Sequence, residues 1–352
     1  MTRTSKLAAF VLSSAVVFAA CGSDNPTDPA DAGTPDEQDD AAVEPAAGCT
    51  VEPIVAADGE PLRPIDAETG VKVTGVVGEA PTLVVPDAEA PTDLVIEVLE
   101  EGDGEPVRAC DFVSVDYYGQ KWIAGDDTVD NVFDQSFERG DQFRTTLGVG
   151  GVINGWDAGL AGVPVGSRVL LSIPPEYAYG TDAAAHELGG ETLLFVVDVV
   201  DRVAADSAIS GDAVAELPVG LPAVSGDGAE GEPTIDFTDA EVPAQSDAIL
   251  LVAGDGPEIQ DNIVVKMLQA PYGEGESTST WTIGQGPLGR WPNGGAPVTA
   301  NDLPGLADAL DGQQVGSRVL VRVGTEDNPG ESAEGGALAI VVDIVGTYAN
   351  PA

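Results

Sequence analysis

Arg168-Val169-Leu170-Leu171-Ser172-Ile173, Pro174-Pro175-Glu176-Tyr177-Ala178-Tyr179-Gly180 and Thr192-Leu193-Leu194-Phe195-Val196-Val197-Asp198-Val199-Val200 decide how this chain folds. Two short apolar runs rich in β-branched residues stand on either side of a stretch of Pro, Gly and small polar residues, which reads as strand, loop, strand. Working outward, Leu94 to Leu99 and Phe112 to Tyr118 read as strands too. Only the segment around Gly155 to Leu160 suggests a helix, a short one with Trp156 and Leu160 at i, i+4 spacing. The expectation is an α+β fold, a mostly antiparallel sheet with one small helix packed on it.

The same stretch also shows that the chain repeats itself. Val165-Gly166-Ser167-Arg168-Val169-Leu170 returns as Val315-Gly316-Ser317-Arg318-Val319-Leu320, and Phe195-Val196-Val197-Asp198 has a counterpart in Ile340-Val341-Val342-Asp343. Upstream, Pro81-Thr82 with Asp87-Ala88-Glu89 is echoed by Pro233-Thr234 with Asp239-Ala240-Glu241. Identical runs in the same order point to duplication, with units at about 70 to 203 and 220 to 349 joined by a Gly/Ala/Asp-rich stretch, 204–219.

At the start, Arg3 and Lys6 precede an apolar run from Leu7 to Ala20 that is too short to span a bilayer, so residues 1–20 read as an export signal. Phe18-Ala19-Ala20-Cys21 resembles the lipobox of bacterial lipoproteins, which implies acylation of Cys21 and a membrane bond through that lipid alone. The alternative is an ordinary cleaved signal in which Cys21 is incidental. Residues 21–48 are rich in Asp, Ala, Pro and Thr and carry hardly any large apolar side chain, the composition of a disordered acidic tether.

With 14 basic against 60 acidic side chains and a formal net charge of −46, nucleic acid and anionic lipid are excluded as partners. Cys49 and Cys110 remain after Cys21, in a compartment where disulfides persist. They are expected to pair, and two buried free thiols are the competing reading. One His and no Cys/His cluster argue against a metal site, and no cofactor motif is present. Asp126, Asp127 and Asp130 lack the spacing of a calcium loop.

Six ordered motifs then suggest a family: Val115-Asp116-Tyr117-Tyr118-Gly119, Val132-Phe133-Asp134-Gln135-Ser136, Val152-Ile153-Asn154-Gly155-Trp156-Asp157, Val165-Gly166-Ser167-Arg168, Pro174 to Gly180, and Thr192-Leu193-Leu194-Phe195. In order and spacing they resemble the FKBP immunophilin domain. The resemblance covers residues 93–203 and implies an FKBP-like sheet wrapped on one short helix, in two tandem copies, with residues 49–203 as an isomerase domain plus N-terminal extension. It also implies peptidyl-prolyl cis-trans isomerase activity, with no cofactor. Asp134, Tyr179 and Phe195 fall on positions of the reactive centre, with Asp134 as a buried polar residue and Tyr179 as a hydroxyl donor. Tyr117, Phe133, Phe143, Val152, Ile153, Trp156 and Leu188 fall on substrate-binding positions. His186 is expected on the pocket rim, and the insert Lys121 to Asp130 is longer than usual.

In the second unit Met267, Leu306 and Ile340 stand at the Tyr117, Trp156 and Phe195 positions, and nothing follows Val323 that resembles Tyr-Ala-Tyr-Gly. A retained scaffold with a lost pocket is expected there. The expected partners are proline-containing polypeptides of the cell envelope and macrolide ligands, and the protein is expected to be a monomer. A non-catalytic peptide-binding or chaperone module using the same pocket is the alternative.

Overall fold

The computed structural model describes residues 55–56, 59, 62, 64–128, 130–226, 232–260, 262–281, 298–299, 309–328 and 336–348. The expected export signal, Cys21, the tether, Cys49 and Leu306 lie outside these. In chain order the first part contributes β1 (Ile65–Asp66), β2 (Lys72–Thr74), β3 (Thr82–Val84), β4 (Val95–Glu100), β5 (Phe112–Lys121), β6 (Val132–Gln135), α1 (Ser136–Arg139), β7 (Phe143–Thr146), α2 (Asn154–Gly159), β8 (Arg168–Ile173), a 3-10 turn at Pro175–Tyr177, and β9 (Leu193–Val203). The sheet runs β1-β4-β8-β9-β5-β6, and β7 pairs with the part of β5 that β6 leaves open. Apart from the parallel β1/β4 pair, its ladders are antiparallel.

The first seven residues of β9 are all buried, because both faces of the sheet are covered. A strand so placed reads as an unbroken apolar run rather than an alternating one. On the inner face Val115, Leu171 and Val197 pack against Trp156 and Leu160 from the α2 side. On the outer face the hairpin β2-β3 brings Val71, Leu83 and Val85 onto Tyr118, Leu170, Leu194 and Val196. A buried ion pair latches this hairpin. Arg168 and Asp198, 2% and 1% exposed, meet fork to fork at 2.5 and 2.7 Å. Asp198 also accepts the Gly78 N–H at 2.8 Å, while Arg168 donates to the Glu79 carbonyl at 2.8 Å.

The expectation of one short helix is corrected. Besides α2 there is α1, four residues long, closed by Gly140 in the left-handed region at φ 63°, whose N–H returns to the Ser136 carbonyl. So short a turn is below the length at which a helical period shows in sequence. Cys110, fully buried and at φ 71°, is disulfide-bonded.

The second part carries β10 (Asp212–Ala213), β11 (Ala223–Ser225), β12 (Thr234–Asp236), β13 (Asp247–Ala253), β14 (Asn262–Pro271), β15 (Thr278–Ser279), β16 (Val298–Thr299), β17 (Arg318–Val323) and β18 (Leu338–Tyr348). Its sheet runs β10-β13-β17-β18-β14-β15 with β16 on β14, which is the first order position for position. Arg318 and Asp343 repeat the buried fork at 2.6 and 2.7 Å. One difference is that β10 joins β13 antiparallel where β1 joins β4 parallel.

The joining residues are held from both sides. Asp111, itself fully buried, accepts the Ala205 N–H at 2.9 Å, and Arg108 pairs with Asp206 at 2.6 Å. From β14, Lys266 donates to the Ser207 carbonyl at 2.9 Å and to that of Ala205. An apolar seam of Phe112, Val203, Val264, Val345 and Tyr348 closes the contact between the two parts.

Candidate active site

Between the inner face of the first sheet and α2 lies a cavity of about 190 Å3. Strand β5 delivers Tyr117, β6 Phe133 and Asp134, β7 Phe143, and β9 Phe195. Val152 and Ile153 come from the turn before α2, and α2 supplies Trp156 as the floor. The rings meet edge to face: Trp156 stands 5.2 Å from Phe195, 5.3 Å from Tyr117 and 5.8 Å from Phe143, at 84° to 89°. Such T-shaped pairs fix the box by matching ring edge to ring face. Two glycines make the close approaches possible. A Cβ on Gly119 would lie 2.8 Å from the Phe195 ring and 3.0 Å from Phe133, and one on Gly155 would lie 2.4 Å from Ile173, beneath α2.

Nine of the ten pocket residues expected from sequence line this cavity, and Gly151 joins them. Leu188 does not. Its side chain is 6% exposed and belongs to the inner core, while its N–H donates to His186 Nδ1 at 3.1 Å. It anchors the loop from Thr181 to Gly190 because an apolar side chain there gains more from the core than from the rim. His186 lies flat on Tyr179, with ring centroids 4.1 Å apart and planes at 4°, which backs the Tyr179 ring.

Asp134 is also placed differently from the expectation of a buried polar residue: its side chain is 47% exposed at the mouth. It is held by two donors, the Tyr117 hydroxyl and Arg139 Nη1, and Arg139 Nη2 reaches the Tyr117 oxygen at 2.9 Å. Burial, then the Asp134 carboxylate, push the Tyr117 phenol up to about 12. Burial and Asp134 also raise the Tyr179 phenol. Both hydroxyls therefore stay protonated at neutral pH and can donate. Arg139 was not read from sequence. The only signal was a basic residue five positions after Asp134, on a helix too short to be seen.

Asp157 was missed as well. From α2 it accepts the Gly148 N–H at 2.7 Å and the Gly150 N–H at 3.3 Å, which ties down the turn that presents Val152 and Ile153. Burial pushes its carboxyl up to about 6, against the pull of these two donors. A raised carboxyl pKa means that the folded state takes up a proton before the unfolded one does. The stability it contributes is full below about pH 4 and is lost as pH rises through 6. Urea unfolding should show wild type losing stability relative to Asp157→Asn, whose amide does not titrate, as pH rises from 4 to 7.5. A pH-independent difference would contradict this.

Residues 104–200 match the family model of FKBP-type peptidyl-prolyl cis-trans isomerase. A probable FK506-binding protein of Corynebacterium glutamicum is 38% identical over 122 residues, which is 35% of this chain and 98% of that protein. The chain belongs to the FKBP family. It is a peptidyl-prolyl cis-trans isomerase of the FKBP type. An FK506-binding protein of Streptomyces anulatus is 42% identical over 124 residues, 35% of this chain and 96% of that one. Among solved structures, FkpA from Escherichia coli shows 34% identity over 33% of this chain and 51% of its own, with a TM-score of 0.27. The FKBP-type match holds the whole ring box and the Asp134–Tyr117–Arg139 cluster. Among the described residues no group of three His, Cys, Asp or Glu is placed to hold a metal.

Proposed function

We propose that this protein isomerises Xaa-Pro bonds of exported polypeptides as a folding helper, working outside the cytoplasm from a lipid anchor at Cys21. The observation that carries the reading is the box of edge-on rings that meet on Trp156. Rotation about the prolyl amide must cross a barrier of about 18–20 kcal/mol set by its partial double bond. No nucleophile takes part. The planar amide carries more charge separation than the twisted one, so an apolar cavity that strips its water favours the twisted form. The Tyr179 hydroxyl donates to a substrate carbonyl, while Tyr117, whose proton goes to Asp134, and Arg139 fix the Asp134 carboxylate at the mouth. The same cavity accommodates macrolide ligands on this reading, and the protein works as a monomer.

The second part reads as a copy that keeps the scaffold without the pocket. Met267 opposes Val342 as Tyr117 opposes Val197, and Gln269 opposes Ile340 as Gly119 opposes Phe195. An aliphatic or amide side chain thus stands where the first part has a ring or needs empty space.

A protease-coupled assay with a short Xaa-Pro peptide tests the activity. Catalysed conversion is expected, and a full-length protein that binds the peptide without speeding it would establish the binding module instead. For the anchor, the mature wild type should partition into detergent while Cys21→Ser stays in the aqueous phase. Equal partitioning of the two rules the lipid out.

A further inference from the structure

Strand β7 is four residues long and, among the described residues, pairs with β5 alone. Phe143 stands opposite Val115 and Arg144 opposite Ser114. Since successive side chains point to opposite faces, Phe143 enters the pocket while Arg144 lies on the outer side. There it meets the second part of the chain. The Arg144 guanidinium carbon sits 4.2 Å from the centroid of the Tyr348 ring, at the end of β18. The same ring stacks on Phe112 of β5 at 6.1 Å and 22°. Arg144 Nη1 pairs with Asp141 at 3.1 Å, whereas Nε and Nη2 are buried with no hydrogen-bond partner among the described residues. The aromatic face is what compensates that half of the cation. The approach is tight: a Cβ on Gly346, two residues before Tyr348, would come within 2.4 Å of Val203.

We propose that Tyr348 is a positioning residue for the pocket of the other unit. By clasping Arg144 and Phe112 it holds β7 from outside, and with β7 it holds the Phe143 wall. The second unit is then a structural part of the isomerase site. The kinetic side of this inference rests on the isomerase reading, and the exchange side does not.

In the full chain, Tyr348→Ala is expected to raise KM for an Xaa-Pro peptide roughly three- to tenfold with kcat changed less than about twofold. Amide exchange on β7 should quicken about tenfold while β8 and β9 keep their protection. Tyr348→Phe retains the ring and should lie closer to wild type than to Tyr348→Ala in both measurements. Unchanged exchange on β7, or an equal rise across β8 and β9, overturns the inference whatever KM does. Wild-type protein without isomerase activity, but with β7 exchange still dependent on the Tyr348 ring, would sink the isomerase reading and leave the clasp standing.

Discussion

Phe195→Ala lowers kcat/KM on an Xaa-Pro peptide by roughly a hundredfold, a loss of about 2.7 kcal/mol of transition-state stabilisation. The ring touches Trp156 at 5.2 Å, Phe133 at 5.5 Å and Tyr117 at 6.2 Å, so its removal opens the box at its centre and admits water to the amide. Phe195 is also 4% exposed and part of the inner core, so the variant loses about 3–5 kcal/mol of stability. The kinetics therefore belong well below its unfolding temperature, beside Phe195→Leu, which keeps most of the volume without the ring face. Asp134→Ala has a smaller effect, roughly tenfold, because it acts on the orientation of Tyr117 and Arg139. Activity of Phe195→Ala within threefold of wild type would remove the ring box from the mechanism.

Asp198→Ala lowers the stability of the first unit by about 3–5 kcal/mol, read from the urea midpoint, because it strands a buried guanidinium. Arg168 is 2% exposed, and among the described residues the other acceptor it reaches is the Glu79 carbonyl. The Gly78 N–H loses its acceptor at the same time, so amide exchange should quicken first in the β2-β3 hairpin. Replacing both partners, Arg168→Met with Asp198→Leu, recovers most of the loss since no charge is left unpaired. If Asp198→Ala costs less than about 1 kcal/mol, water reaches the pair and it is not the latch described.

The strands that frame the pocket were legible because burial on both faces leaves an unbroken apolar run, as from Leu193 to Val197. The hairpin over the outer face was visible only as an echo, Pro81-Thr82 against Pro233-Thr234, since three-residue strands carry no period worth reading. The pocket residues were legible as an ordered set, and nine of the ten expected line the cavity. What stayed hidden was direction. Nothing in a loop sequence says that Leu188 turns into the core. Nor does the Phe133-Asp134 pair reveal that its carboxylate sits half-exposed at the mouth under Arg139. Contacts between distant segments, such as Tyr348 on Arg144, depend on how the two sheets dock, which neither repeat encodes by itself.

Because β8 and β17 open on the same Arg-Val-Leu and occupy the same place in sheets of the same strand order, each is a competent impostor for the other. A chain diluted out of denaturant must discriminate between two near-identical templates, and crossed pairings trap part of the population until they open again. Emergence from the ribosome imposes an order in time. The first sheet can close before β17 exists, so synthesis from the N-terminus separates in time what refolding leaves in competition.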